Sequence, residues 1–206
     1  MKNLLKLLLI SSLVFTACTG SEGEEEVQSI PEVTAEEWSK GNSEANVILV
    51  EYSDFQCPAC KAREPIVENL LAEFGNHINF VYRHRPLNSI HANAQLAAQA
   101  AEASGLQGKF WEMHGLLFEY QADWSKLSKG ELKDALSNYA AEIELDVEKF
   151  NQDLESSAVE ALVDEDSDGA DKAGINSTPS FYLNGEAINP KTYDEYREIV
   201  SQAIQK

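Results

Sequence analysis

A chain of 206 residues, 43% apolar and 25% charged, has the length and composition of one globular domain with an elaboration. Its 35 acidic against 16 basic side chains leave a formal charge of −19, which excludes nucleic acid or anionic lipid heads as partners held by the general field. The acidity reads as solubility.

The first element is not part of the domain. Met1 to Lys6 is a short basic start, and Leu7 to Phe15 is an apolar run broken only by Ser11 and Ser12. The run falls well short of the roughly 20 residues of a spanning helix and has the plan of a secretory signal. Small residues, Thr16 and Ala17, then precede Cys18. A lone cysteine at this point resembles a bacterial lipoprotein signal, although Phe15 stands where that pattern prefers an aliphatic residue. The resemblance implies a signal peptide over 1–17, lipidation of Cys18 and membrane attachment by a lipid anchor only. An ordinary cleaved signal would instead give a soluble secreted protein. Either reading places the chain outside the cytoplasm, where disulfides persist. Residues 18–29 are Gly, Ser and Glu with almost nothing to bury and read as an acidic flexible tether. Loss of Lys2 and Lys6 with the signal lowers the charge by two, to −21.

From Ser29 to Asn46 the chain begins to order, with Trp38 as the anchor of a short element. Val47 to Tyr52 is nearly continuously apolar, as in a strand buried on both faces. Pro58 to Phe74 has helical spacing and stops at Gly75, and Ile78 to Tyr82 is a second strand, which together predict a right-handed βαβ unit. Helical signals follow at 92–103, 109–120, 131–141 and 147–173, the last interrupted near Ser156. Ser180 to Leu183 and Glu186 to Ile188 are strands joined by Asn184-Gly185, a strong hairpin signal. Thr192 to Ile204 closes the chain as a helix. The order is βαβ, a helical block over about 87–173, then ββα, within a domain spanning 30–206.

Cys57-Pro58-Ala59-Cys60 lies between the first strand and the first helix. Unpaired N–H groups and the macrodipole at a helix start favour a thiolate, and Pro58 falls where a missing N–H costs nothing. A zinc site would need two more Cys or His at fitting spacing, and the pair reads first as a redox dithiol.

This order of elements resembles the thioredoxin fold, an α/β class, and the inserted helical domain makes it similar to the DsbA type of thiol–disulfide oxidoreductase. The stretches carrying the resemblance are YSDFQCPAC (52–60), YRHRPL (82–87), HANAQLAAQAAEASGLQGKFWEMHGLLFE (91–119) and GINSTPSFYLNG (174–185). It implies Cys57 as nucleophile and Cys60 as the buried resolving thiol, the two alternating between dithiol and redox-active disulfide through a mixed disulfide on Cys57. It implies that Glu51 exchanges protons with Cys60, the residue-based alternative being a solvated strand end. Thr178-Pro179 takes the place of the family's cis-proline loop, which binds an extended substrate segment, with the Thr178 hydroxyl tuning the sulfur chemistry. No cofactor and no metal are implied. Asp54 reads as a turn or cap residue. Ala59 stands where DsbA carries a histidine, so the motif leaves oxidant strength open.

The remaining features read as structural. Asp164 to Gly169 opens like a calcium loop, but Ile175 occupies the position of its closing Glu, so an acidic helix face is expected. His77, His84, His91 and His114 show no ligand pairing, and His91 and His114 read as surface or cap residues on the inserted helices. The aromatics of 109–120 read as core. The expected function is oxidation of cysteine pairs in exported proteins, with reoxidation by a membrane quinone-coupled partner. A reductase or isomerase, a copper- or zinc-carrying dithiol module and a non-catalytic anchored binding domain are the alternatives.

Overall fold

The computed structural model describes residues 29–206, so the signal segment, Cys18 and nearly all of the tether lie outside the described residues. Five strands form one sheet: β1 (Ser39–Gly41), β2 (Val47–Ser53), β3 (Ile78–His84), β4 (Ser180–Leu183) and β5 (Glu186–Ile188), in the order β1-β3-β2-β4-β5. β2 and β3 run parallel, pairing Val47 with Ile78 and Ser53 with His84, and the other pairs are antiparallel. The crossover between β2 and β3 is helix α1 (Pro58–Phe74), with Pro58 in its first turn. β2 is central and covered on both sides, because Leu49 joins the larger core while Val50 and Tyr52 join a second core with Val81, Ala170 and Ile175. That two-sided burial explains the unbroken apolar run. The fold is the expected α/β thioredoxin-like arrangement.

Between β3 and β4 the described chain is helical: α2 (Ala94–Gly105), α3 (Phe110–Glu119), α4 (Gln121–Trp124), α5 (Lys129–Glu142), α6 (Val147–Leu154) and α7 (Ser157–Lys172). Ala97, Ala98, Ala100, Ala101 and Ala103 of α2 are buried, and their small side chains let neighbouring helices approach closely. Ser156 caps α7 through the Val159 N–H, which accounts for the interruption before it. Helix α8 (Tyr193–Ile204) starts on a capping box between Thr192 and Glu195 and packs beside α1 and β2. Asn184 and Gly185, at φ 49° and 84°, form the tight turn between β4 and β5.

Trp38 does anchor the N-terminal segment. Its ring stacks on Phe110 with centroids 4.3 Å apart, and its indole N–H donates to Glu102 at 2.8 Å. Gly105 makes room for it, since a Cβ there would lie 2.3 Å from the Trp38 ring. Pro65 sits inside α1 without ending it, so the helix runs from Pro58 to Phe74 as expected. The acidic run 164–169 is part of α7, as expected, but Asp166 is not simply solvated: its Oδ2 accepts the His84 backbone N–H at 2.7 Å.

Candidate active site: two thiols beside a proline loop

The chain leaves β2 at Ser53, turns through Asp54, Phe55 and Gln56, and enters α1 at Cys57. Cys57 is the N-cap, in extended backbone at φ −75° and ψ 120°, and its N–H donates to the Asp54 carbonyl at 3.0 Å. Cys60, one turn on, is fully buried, whereas Cys57 keeps 7% of its surface. Both are free thiols.

Their environments push the two sulfurs apart. The Cys57 thiol is lowered to about 5, first by a hydrogen bond from the Cys60 thiol, then by Thr178 and the backbone N–H groups of Cys60 and Ala59, against the opposing effect of burial. The Cys60 thiol is raised far above its ordinary range, first by burial, then because its proton serves Cys57 and because Glu51 and Cys57 are negative neighbours. One sulfur is therefore a thiolate at neutral pH and the other a protonated reserve. The Cys60 thiol hydrogen bond and the burial of Cys60 lead that difference, with Thr178 and the helix-start N–H groups adding to it, and no histidine between the cysteines is needed.

Glu51 lies on β2 and is 3% exposed, which rules out the solvated strand end. Burial raises its carboxyl to about 8, partly offset by the Ser53 hydroxyl, which donates to Oε1 at 2.8 Å. Its charge acts on Cys60, so a buried acid that titrates near neutrality sits within electrostatic reach of the buried thiol.

On the other side of Cys57 is the loop before β4. The Thr178–Pro179 bond is cis. While protonated, the Cys57 thiol donates to the Thr178 backbone carbonyl at 3.6 Å, a contact that the sequence did not indicate. The Thr178 hydroxyl is buried with no hydrogen-bond partner in the protein, and is free to donate to the sulfur once that sulfur is a thiolate.

Asp54 is a turn residue before α1, its Oδ1 accepting the Gln56 N–H at 2.7 Å, and it is also a buried hub, because Oδ2 accepts the Leu87 N–H at 2.9 Å and faces His91 Nδ1 at 2.7 Å. Two histidines take positions that differ from the expected ones. His91 precedes α2 instead of lying on it. His114 is not a surface residue. It is 2% exposed and boxed by Tyr82, Phe118 and Phe55, with centroids 4.9, 5.0 and 5.4 Å away. Its neighbours in sequence, Phe110, Met113, Leu117 and Phe118, lie on the same buried side of α3, and that spacing is the signal that could have placed it. Gln121, overlooked in the sequence, donates to the carbonyls of Phe55 and Cys57. Among the described residues no group of three or more His, Cys, Asp or Glu side chains converges as a metal site.

A protein-family model described as thioredoxin matches residues 34–202, most of the chain. The chain belongs to this thioredoxin family. BdbD from Bacillus subtilis superposes with a TM-score of 0.76 at 25% identity, covering 87% of this chain and 98% of that one. A thioredoxin-like oxidoreductase from Silicibacter pomeroyi DSS-3 does so at 0.69 and 27% identity, covering 84% and 95%. The thiol-disulfide exchange protein α-DsbA2 from Wolbachia pipientis shares the fold at 0.69 and 19% identity, covering 81% and 87%. In sequence, the chain is 46% identical over 147 residues to Na(+)/H(+) antiporter NhaA 1 of Salinispora arenicola, covering 71% of this chain and 21% of the antiporter. The chain thus spans about a fifth of the length of such relatives and matches one segment of them. Among the described residues no helix is long and apolar enough to cross a membrane. Fold and neighbours alike resemble thiol–disulfide oxidoreductases.

Proposed function

We propose that this protein is an extracytoplasmic thiol–disulfide oxidoreductase of DsbA type that oxidises cysteine pairs in exported proteins. The observation that carries the reading is the opposed environment of its two sulfurs, Cys57 held as a thiolate and Cys60 kept protonated one turn below. In the oxidised enzyme a substrate thiolate attacks Cys57, breaking the Cys57–Cys60 bond and forming a mixed disulfide. The second substrate thiolate attacks its own sulfur in that bond, and Cys57 departs as the thiolate. The substrate loses two electrons and becomes a disulfide, and the enzyme gains them as a dithiol. Cys60 leaves as a thiolate in the first step and needs a proton, which Glu51 is placed to supply. A stabilised Cys57 thiolate makes the reduced enzyme the favoured one and so favours oxidation of substrate.

A reductase of exported disulfides is the second reading, and Ala59, whose side chain brings neither donor nor charge to the thiolate, is the residue that favours it. Reduction potential separates the two: a value near the roughly −270 mV of thioredoxin, rather than toward the roughly −120 mV of DsbA, would sink the oxidase reading. A Cys60→Ala chain expressed in cells is expected to accumulate mixed disulfides on Cys57, and those captured proteins are the substrates. Reoxidation by a quinone-coupled membrane partner, and tethering through acylated Cys18, complete the proposal. Acyl labelling that persists in Cys18→Ala would remove the anchor.

A further inference from the structure

The loop that carries the nucleophile is held from outside, by side-chain amides and backbone groups of the helical insertion. We propose that Gln121 is a positioning residue for Cys57: its amide grips the carbonyls on either side of Gln56 and so holds the sulfur under the N–H groups of the first turn of α1. This rests on the reading of Cys57 as the attacking thiolate.

Gln121 Nε2 donates to the Phe55 carbonyl at 2.7 Å and to the Cys57 carbonyl at 3.0 Å, from a side chain only 6% exposed. Its support is rigid. Trp124, in the same short helix α4, is fully buried and donates its indole N–H to the Leu117 carbonyl at 2.7 Å. The residue between the two gripped carbonyls is tied to the same region: Gln56 Nε2 donates to the Ser125 carbonyl and its Oε1 accepts the Asn93 N–H, both at 2.8 Å. Three successive residues ahead of α1 are therefore located by groups far away in the chain.

Satisfying backbone groups does not by itself account for this. The Cys57 carbonyl already accepts the Lys61 N–H at 3.2 Å as part of α1, so it has a partner without Gln121. What the second bond adds is direction. At an N-cap the residue stands outside helical geometry, and a small rotation of its peptide swings both its carbonyl and its side chain. The N–H groups of Ala59 and Cys60 that face the sulfur act only while the sulfur stays beneath them. Gln121 fixes that rotation from both sides of Gln56.

The test is the ultraviolet absorbance of the Cys57 thiolate in the reduced, full-length protein as a function of pH. Wild type alone tests the reading: a midpoint in the ordinary thiol range would remove the activated nucleophile whatever Gln121 does. The difference between variant and wild type tests the proposal. Gln121→Met keeps the length of the side chain and removes both donors. Its midpoint is expected to rise by about one pH unit, a tenfold smaller thiolate fraction below the midpoint. Gln121→Glu turns the donors into a carboxylate facing two carbonyls, is expected to shift further in the same direction, and serves alone if the Met variant does not fold. A Gln121→Met protein with a lower melting temperature but the wild-type midpoint would make Gln121 a structural brace and overturn the proposal. An unchanged midpoint in Gln121→Glu would do the same.

Discussion

Asp54 Oδ2 lies 2.7 Å from His91 Nδ1, and through that contact the loop leading into α2 is tied to the loop that presents Cys57. The same carboxylate also holds the Gln56 and Leu87 N–H groups. Asp54→Ala strips all three partners at once, and is expected to cost about 2–4 kcal/mol, since each donor left unsatisfied costs about 1–3. His91→Ala removes one of those contacts at a more open position and is expected to cost clearly less. Denaturant unfolding of the two variants measures the difference, and equal losses would deny Asp54 its place as the hub.

Glu51 makes stability depend on pH in an unusual direction. Burial raises its carboxyl from 4.5 to about 8, so between those values the folded state holds a proton that the unfolded state has lost. The Glu51 contribution to stability therefore falls as pH rises through that window, by on the order of 5 kcal/mol at 1.36 kcal/mol per pH unit, against an opposite contribution from the lowered Cys57 thiol in the reduced protein. Glu51→Gln is expected to flatten this slope and to be more stable than wild type above about pH 6, while slowing the step in which Cys60 leaves. Melting temperatures across pH and single-turnover exchange rates read the two effects separately. A variant that keeps the wild-type slope would clear Glu51 of it.

His114 acts at the acidic end. Burial pushes its imidazole well below 6.5, and Glu64 Oε1, 3.6 Å from Nδ1, is too far for a hydrogen bond. An unfolded chain takes up a proton at His114 below about 6.5 that the folded one refuses, so this group subtracts stability as pH falls. His114→Phe keeps the aromatic packing and removes that loss. The expected result is a smaller fall in melting temperature on acidification, with little change near neutral pH.

Gly105 and Trp38 offer a purely steric check. A methyl group at position 105 must displace the Trp38 ring from Phe110, because its Cβ would lie 2.3 Å from that ring. Gly105→Ala is expected to cost about 1–3 kcal/mol, as overpacking does. The Trp38 indole should also leave Glu102, visible as a change in tryptophan emission. A variant as stable as wild type would show that the N-terminal segment yields freely.

What the sequence disclosed follows the range of each interaction. The strand Val47 to Tyr52, the alanine-rich α2 and the Asn184-Gly185 turn are set by neighbours a few residues away, so local patterning predicts them. The cysteines and the proline before β4 were legible because one motif and its resemblance place them together. The hub role of Asp54 and the grip of Gln121 were not. Their partners lie far along the chain, and a short polar side chain looks the same in sequence whether it faces water or a buried carbonyl.

The sheet ends on both sides in strands of three residues, Ser39–Gly41 and Glu186–Ile188. A protein proposed to handle unfolded chains meets many segments able to extend a ladder, and a long open border would recruit them indiscriminately. Three residues offer too few rungs to retain a stray strand. Under the proposed function, the short borders keep incoming chain from accumulating at the margins of the sheet, away from the cis-proline loop and the Cys57 sulfur beside it.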